Sequence, residues 1–237
     1  MAKLVRAISD MGGVVISVID STDIVKRMEE IHETSAVVSA ALGRLLTASQ
    51  LMASNLKSVD DSITLRIKAD GPIGLLTVGC DGRGNCKGYV ENNIVELALR
   101  PDGKLDVGSA VGRDGYLYVV KDIGLKEPYV GSIPLESGEI AEDITAYYAY
   151  SEQIPTVCAL GVLVNPDLTI KRAGGYLLQL LPGATEEEIT MLENNIANVP
   201  SITSFFESDK TVYDVVDTVL EGFNPNTLNS SNMLTLS

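Results

Sequence analysis

Apolar residues recur along this chain first at strand spacing, then at helix spacing, then at strand spacing again. Lys3–Ile8 and Val14–Ile19 read as short strands about the turn Asp10-Met11-Gly12-Gly13, where glycine supplies the positive φ that a tight hairpin needs. Ser21 or Thr22 can cap a helix that starts at Asp23. Helical spacing then continues, with a break near Thr34, to about Leu56. Val37, Ala41, Leu45, Ala48, Met52 and Leu56 share one face of it. Ala36, Ser39, Ala40, Gly43, Ser49 and Ala53 are small, so a second helix or a sheet can approach this segment closely.

From residue 62 to 135 the period drops to two. The expected strands are Ile63–Lys68, Ile73–Val78, Cys86–Val90, Val95–Leu99, Lys104–Val107, Tyr116–Val120 and Tyr129–Ile133, joined by turn residues into an antiparallel meander. A helix over about 139–153 turns Ile140, Ile144, Tyr147 and Tyr148 inward and ends at Pro155. Thr156–Val164 and Leu168–Arg172 form a hairpin about Asn165-Pro166-Asp167, and Ala173-Gly174-Gly175 leads into the apolar strand Tyr176–Leu181. After Pro182-Gly183 the chain turns helical. Thr185 and Glu188 have capping-box spacing, with Ile189, Leu192 and Ile196 on one face. Ile202, Phe205 and Phe206 mark a short segment, and Val212, Val215, Val216, Val219 and Leu220 a further helix, with Gly222 suited to end it. Residues 224–237 carry no charge and no periodicity, and read as a disordered or non-native tail. The expected fold class is α+β, mainly antiparallel packed sheets with flanking helices. It divides into a core over 1–181, a helical linker arm over 182–223 and the tail.

Composition narrows the function. Apolar residues make up 45% of the 237 positions and charged ones 21%, so a sizeable core can be buried. The 18 basic and 32 acidic side chains leave a net charge of -14. That balance lacks the cationic footprint of a nucleic-acid binder and argues against docking on anionic membranes. No apolar run approaches the roughly 18 residues that span a bilayer, and no signal peptide is recognisable, so a cytoplasmic location is expected.

The chemistry available is sparse. His32 is the single histidine and lies on a helix between Glu30 and Glu33, where its plain reading is a solvated helix side chain, not the base of a triad. Cys80 and Cys86 flank a Gly-rich turn and could face each other as a reactive thiol pair or stand as ordinary strand cysteines; Cys158 reads as core. Gly82-Arg-Gly84-Asn-Cys-Lys87-Gly88 superficially resembles a phosphate loop, but a strand follows it where a helix N-terminus is required. Glu142 and Asp143 are adjacent on a helix, so they diverge, and they suit its N-terminal end better than paired acid–base work. No catalytic constellation emerges.

Several stretches resemble the 33-kilodalton heat-shock chaperonins, a family of redox-regulated chaperones. They are Ala41–Ser49, Asp70–Gly74, Gly88–Val90, Lys121–Tyr129, Gly138–Asp143, Tyr147–Gln153 and Ala173–Gly183, in matching order and spacing over about residues 3–222. The resemblance implies an α+β core followed by a helical arm, homodimerisation with arm and core exchanging contacts between subunits, and ATP-independent holding of unfolding client proteins. It also implies a small C-terminal zinc domain with a Cys-x-Cys and a Cys-x-x-Cys pair. Nothing after Phe223 contains a cysteine, and Cys80, Cys86 and Cys158 do not match those ligands, so this chain is expected to bind no zinc and to lack the family's redox switch. Phe205, Phe206, Val212, Val216 and Leu220 are the candidates for client binding or for the dimer arm, and charge substitutions at Phe205 and Phe206 are expected to weaken client capture. Two alternatives are a thiol-dependent enzyme using Cys80 or Cys86, and a structural dimer that binds no client.

Overall fold

The apolar stretch after Thr34 forms the centre of the molecule. The computed structural model describes residues 2–208 and 210–233. In chain order the elements are β1 (Ala2–Ile8), β2 (Val14–Asp20), α1 (Thr22–His32), α2 (Ala36–Ala53), β3 (Ser62–Ala69), β4 (Leu76–Asp81), β5 (Cys86–Val90) and α3 (Val107–Val111). Then come β6 (Gly115–Asp122), β7 (Tyr129–Pro134), α4 (Ala141–Tyr147), β8 (Thr156–Val164), β9 (Ile170–Leu180), α5 (Glu186–Asn198), α6 (Ile202–Glu207), α7 (Val212–Val219) and β10 (Asn226–Met233). Two five-stranded antiparallel sheets result, one in the order β10-β1-β2-β9-β8 and the other β5-β4-β3-β6-β7.

Helix α2 lies between the sheets, packed on β8 and β9 on one side and on β3, β4 and β5 on the other. Every residue of it except Arg44 is buried, as expected of a helix that is apolar all round. Its small residues permit this: a Cβ at Gly43 would stand 2.7 Å from Val25 and 3.1 Å from Val162. Against the sequence expectation, α2 is long and apolar enough to cross a membrane, but 94% of it is buried inside the protein, which accounts for its composition. One continuous core joins α1, α2 and α4 to the inner faces of both sheets.

Strand alternation records how each sheet is covered. On β3, Ile63, Leu65 and Ile67 are buried while Arg66 and Lys68 are exposed, because only one face of that sheet is packed. On β2, Val14–Ile19 is buried at every position, because both faces are covered. Ser17 and Ile19 look toward α2, and Val14, Ile16 and Val18 belong to a second core on the opposite face.

Several expectations are corrected. The segment expected as strands Val95–Leu99 and Lys104–Val107 has no strand partner. Its start is held by Ser35, whose hydroxyl donates to Val95 O at 2.7 Å and accepts from Val95 N at 3.0 Å, and Val107 opens α3 behind the Asp106 cap. Strand β4 begins at Leu76, since Ile73 and Gly74 turn, Gly74 with a φ of 71°. The meander is broken: β6 returns to the free edge of β3, not to β5. The helix expected over 139–153 is α4 followed by a π-turn, Tyr148–Glu152, ended by Gln153 at a φ of 56°. Asp143 anchors its start, accepting from the backbone N–H groups of Glu136, Ser137, Gly138 and Ile140. Leu168–Arg172 and Tyr176–Leu181 merge into the single strand β9, because Gly174 and Gly175 continue the ladder with β2 and β8. The stretch taken for a disordered tail contains β10, which pairs antiparallel with β1 from Ala2↔Met233 to Ile8↔Asn226. The pairing is made by backbone groups, so a polar sequence without periodicity can supply it. Residues 234–237 of that expectation lie outside the described residues.

Candidate functional site

The candidate residues of the arm converge on the second core. Helix α5 starts in a capping box, Thr185 accepting from Glu188 N and Glu188 from Thr185 N, and α7 starts in another formed by Thr211 and Asp214. Helix α6 is opened by Ser201, whose hydroxyl accepts from Ser204 N. These three helices lay their apolar sides on the face of the first sheet that α2 does not use. Phe205, Phe206, Val212, Val216 and Leu220 are each no more than 4% exposed. They pack with Val5, Ile16, Val18, Tyr176 and Leu178 from β1, β2 and β9. All five sequence candidates are thus brought together, but on a covered surface within the same chain.

The floor under α6 is made by two glycines. Gly161 of β8 and Gly174 of β9 are register partners. A Cβ at Gly174 would stand 2.3 Å from the Phe206 ring, and one at Gly161 2.6 Å from Thr203 and 2.8 Å from Ile202. The absence of two side chains at facing positions lets α6 sit down on the sheet. Sequence reasoning took Gly174 for part of a strand lead-in and missed this use. Polar ties secure the edges of the arm: Arg172 Nε donates to Phe206 O at 3.1 Å, Asn195 Nδ2 to Val219 O at 3.1 Å and Glu221 O at 2.9 Å, and Asp10 N to Phe223 O at 3.2 Å.

Exposed apolar side chains cluster elsewhere. The β6–β7 hairpin presents Tyr116, Ile123, Leu125, Tyr129 and Val130, and the irregular segment after β5 presents Ile94, Leu97 and Leu99. A cleft of about 500 Å³ opens between the C-terminal end of α2, β6 and the π-turn, with Asn55, Asp61, Lys121, Tyr148, Glu152 and Gln179 in its wall. Beside it Glu152 Oε1 accepts from Lys121 Nζ at 2.6 Å and from Tyr147 Oη at 2.5 Å. Burial alone would raise the Glu152 carboxyl; the hydrogen bonds from Lys121 and Tyr147 and the Lys121 charge outweigh it and hold the group below its ordinary value. Burial, with the adjoining carboxylate, pushes the Tyr147 hydroxyl up.

The thiols are placed differently from the requirements of the enzyme alternative. Cys80 and Cys86 face each other, buried, and Cys158 is buried on β8. The hydrogen bond with Cys86 and burial push the Cys80 thiol up, and burial does the same for Cys158. A nucleophilic cysteine requires a depressed pKa and access. His32 closes α1, and its backbone carbonyl accepts from Asn93 Nδ2. Among the described residues no group of three or more His, Cys, Asp or Glu side chains could hold a metal ion. The two adjacent thiols do not fit the four-thiolate zinc site that the family resemblance implies.

The comparisons with known proteins agree with this architecture. The family model described as "Hsp33 protein" matches residues 2–235. The chain is 46% identical to the 33 kDa chaperonin of Acetivibrio thermocellus over 92% of its own length and 73% of that protein's. It is 50% identical to the 33 kDa chaperonin of Lachnoclostridium phytofermentans over 86% of its length and 69% of that protein's. The crystal structure of the 33 kDa chaperonin (heat shock protein 33 homolog) from Thermotoga maritima superposes with a TM-score of 0.90 at 34% identity, covering 97% of this chain and 78% of that one. The chain's role is accordingly that of a chaperone, whose partners are unfolded proteins. By its sequence, its two-sheet α+β fold and its arm, the chain belongs to the Hsp33 protein family.

Proposed function

We propose that this chain holds unfolding proteins without ATP, as a homodimer in the cytoplasm, and that the holding surface is the apolar face beneath the arm. The observation that carries the reading is the second core, in which α5, α6 and α7 cover Val5, Ile16, Val18, Tyr176 and Leu178. Helices α6 and α7 are six and eight residues long. Helices that short are not stable alone in water, so an arm that lifts also melts. Lifting therefore uncovers the sheet face together with Phe205, Phe206, Val212, Val216 and Leu220. Apolar surface of that kind on a soluble protein marks an interaction site, and the net charge of -14 keeps the loaded complex soluble. The same charge disfavours nucleic acid and anionic membranes as partners. No metal or nucleotide enters the reading, and it predicts holding in reducing conditions.

The test is light scattering of a thermally unfolding client with the purified chain, in reductant and without ATP. Suppression near a stoichiometric ratio is expected. No suppression by folded protein sinks the reading, and if that protein sediments as a dimer the structural-dimer alternative takes its place. Burial also changes what a charge at Phe206 tests. Phe206→Asp places an unpaired charge in the second core and lifts the arm, so client capture is expected to rise. Capture that falls in a folded variant would assign the contact to the arm's aromatics and remove the sheet face from the proposal.

A further inference from the structure

The β4–β5 hairpin carries a pair of side chains that the chaperone reading leaves unused and that stands whether or not that reading holds. Cys80 and Cys86 are direct register partners across the two strands. Both are free thiols, their Sγ atoms are 3.0 Å apart, and they are 2% and 1% exposed. The turn between them is fixed from within. Asp81 accepts from Arg83 N and Asn85 N through Oδ1, each at 2.9 Å, and from Asn85 Nδ2 through Oδ2 at 2.9 Å, while Asp81 N donates to Asn85 O at 3.0 Å. Directly opposed residues of an antiparallel pair have Cα atoms about 4.5–5.5 Å apart and side chains on one face, which lies inside the usual disulfide range of about 4.4–6.8 Å. The thiols are thus held facing each other by the backbone.

We propose that Cys80 and Cys86 form a modification site, a dithiol that a peroxide converts to an intramolecular disulfide closing the β4–β5 hairpin. The balance is two thiols and one hydrogen peroxide giving one disulfide and two waters. The Cys86 sulfur, its proton released to solvent, attacks one peroxide oxygen; the O–O bond breaks, and the leaving hydroxide takes up a proton as the first water. The Cys80 sulfur then attacks the resulting sulfenic sulfur. The S–S bond forms, the S–O bond breaks, and the departing oxygen leaves as the second water with the Cys80 proton. Strand β5 is an edge strand, so the thiols meet the oxidant when that edge opens locally, and burial and the raised Cys80 thiol make the reaction slow. Once formed, the bond prevents β5 from leaving β4. It thereby fixes the start of the segment that carries Ile94, Leu97 and Leu99 and that ties Asn93 and Val95 to the junction of α1 and α2.

The test uses the reduced full chain, hydrogen peroxide, alkylation in denaturant and mass mapping. Trypsin cuts after Arg83 and after Lys87, so the disulfide would join the peptide 69–83 to the peptide 84–87. The expected result is the loss of two of the three alkylatable thiols, that linked peptide pair, an unmodified Cys158, recovery on reduction, and slower amide exchange along β5. Three alkylatable thiols after prolonged exposure, sulfinic acid at either cysteine in place of the link, or a disulfide involving Cys158 would overturn the proposal. Cys86→Ala should retain both remaining thiols under the same treatment. If that variant does not fold, the peptide map of the unsubstituted chain decides.

Discussion

The two sheets have the same number of strands and the same antiparallel pairing, yet they solve opposite problems. The β10-β1-β2-β9-β8 sheet has α1 and α2 on one face and the arm on the other, so β2 is buried at every position from Val14 to Ile19. The β5-β4-β3-β6-β7 sheet has α2 on its inner face only. Its outer face shows a row of Tyr89, Thr77, Arg66, Tyr118 and Ser132 in register, with Lys68, Lys87 and Tyr116 beside it. One sheet therefore owes part of its stability to the helices of the arm that cover it, and the other does not. Anything that loosens the arm should be felt on the first sheet and leave the second intact.

The largest expected contrast is between two aliphatic truncations. Ile16→Ala, beneath the arm, should cost about 2–5 kcal/mol, whereas Val130→Ala, on the open face, should change stability by less than about 0.5 kcal/mol. Urea unfolding measures both, and equal costs would break the distinction between covered and open faces. A glycine pair sharpens it. Gly174→Ala drives a methyl into Phe206 and the Ile19 carbonyl and should cost about 1–3 kcal/mol. Gly79→Ala on β4 meets only Thr64 Oγ1, at an ordinary 3.6 Å, and should lie within about 0.5 kcal/mol of the parent. Amide exchange in Gly174→Ala should quicken in α6 and α7 and not in β6.

The smallest effect concerns acid. Glu152 has a folded pKa below its unfolded value, so the stability it contributes is complete above the unfolded pKa and is lost as pH falls through the folded one. Glu152→Gln should therefore be slightly less stable than the parent at neutral pH. The gap should close in acid, as followed by thermal melts from pH 7 to pH 2. A gap that widens toward acid would mean that the Lys121–Glu152–Tyr147 contact does not stabilise β6 against the π-turn.

Much of this was legible in the sequence wherever side chains report their own burial. The β3 alternation announces a half-open sheet, the small residues of α2 a close approach by neighbouring elements, and the Thr185–Glu188 spacing the cap that α5 uses. The helical spacing of Ile189, Leu192 and Ile196 and of Val212 to Leu220 announces the helices of the arm. What was not legible depends on partners distant in the chain. Strand β10 has no apolar pattern because backbone groups make its pairing. The β-like spacing of Val95, Leu97 and Leu99 led to no strand, because the segment leaves the edge of β5 and its start is held by Ser35 at the junction of α1 and α2. The apolar side of the arm was visible from Phe205 to Leu220, but its docking place was not, because that is specified by Gly161 and Gly174, where side chains are missing. The Cys80–Cys86 pair was visible as a spacing and became a site only when the register put the sulfurs opposite each other.

The pairing of β2 with β9 has a consequence for how the molecule is made. Val14 pairs with Leu180 and Asp20 with Gly174, so the β1–β2 hairpin emerges from the ribosome long before its central neighbour. At synthesis rates of about 5–20 residues per second, that interval is roughly 8–32 s. During it β2, which the finished fold buries at every position from Val14 to Ile19, has one unpaired edge, and the face destined for the arm stays uncovered. A nascent chaperone of this fold is itself, for that time, an unfolded apolar segment of the kind that chaperones bind.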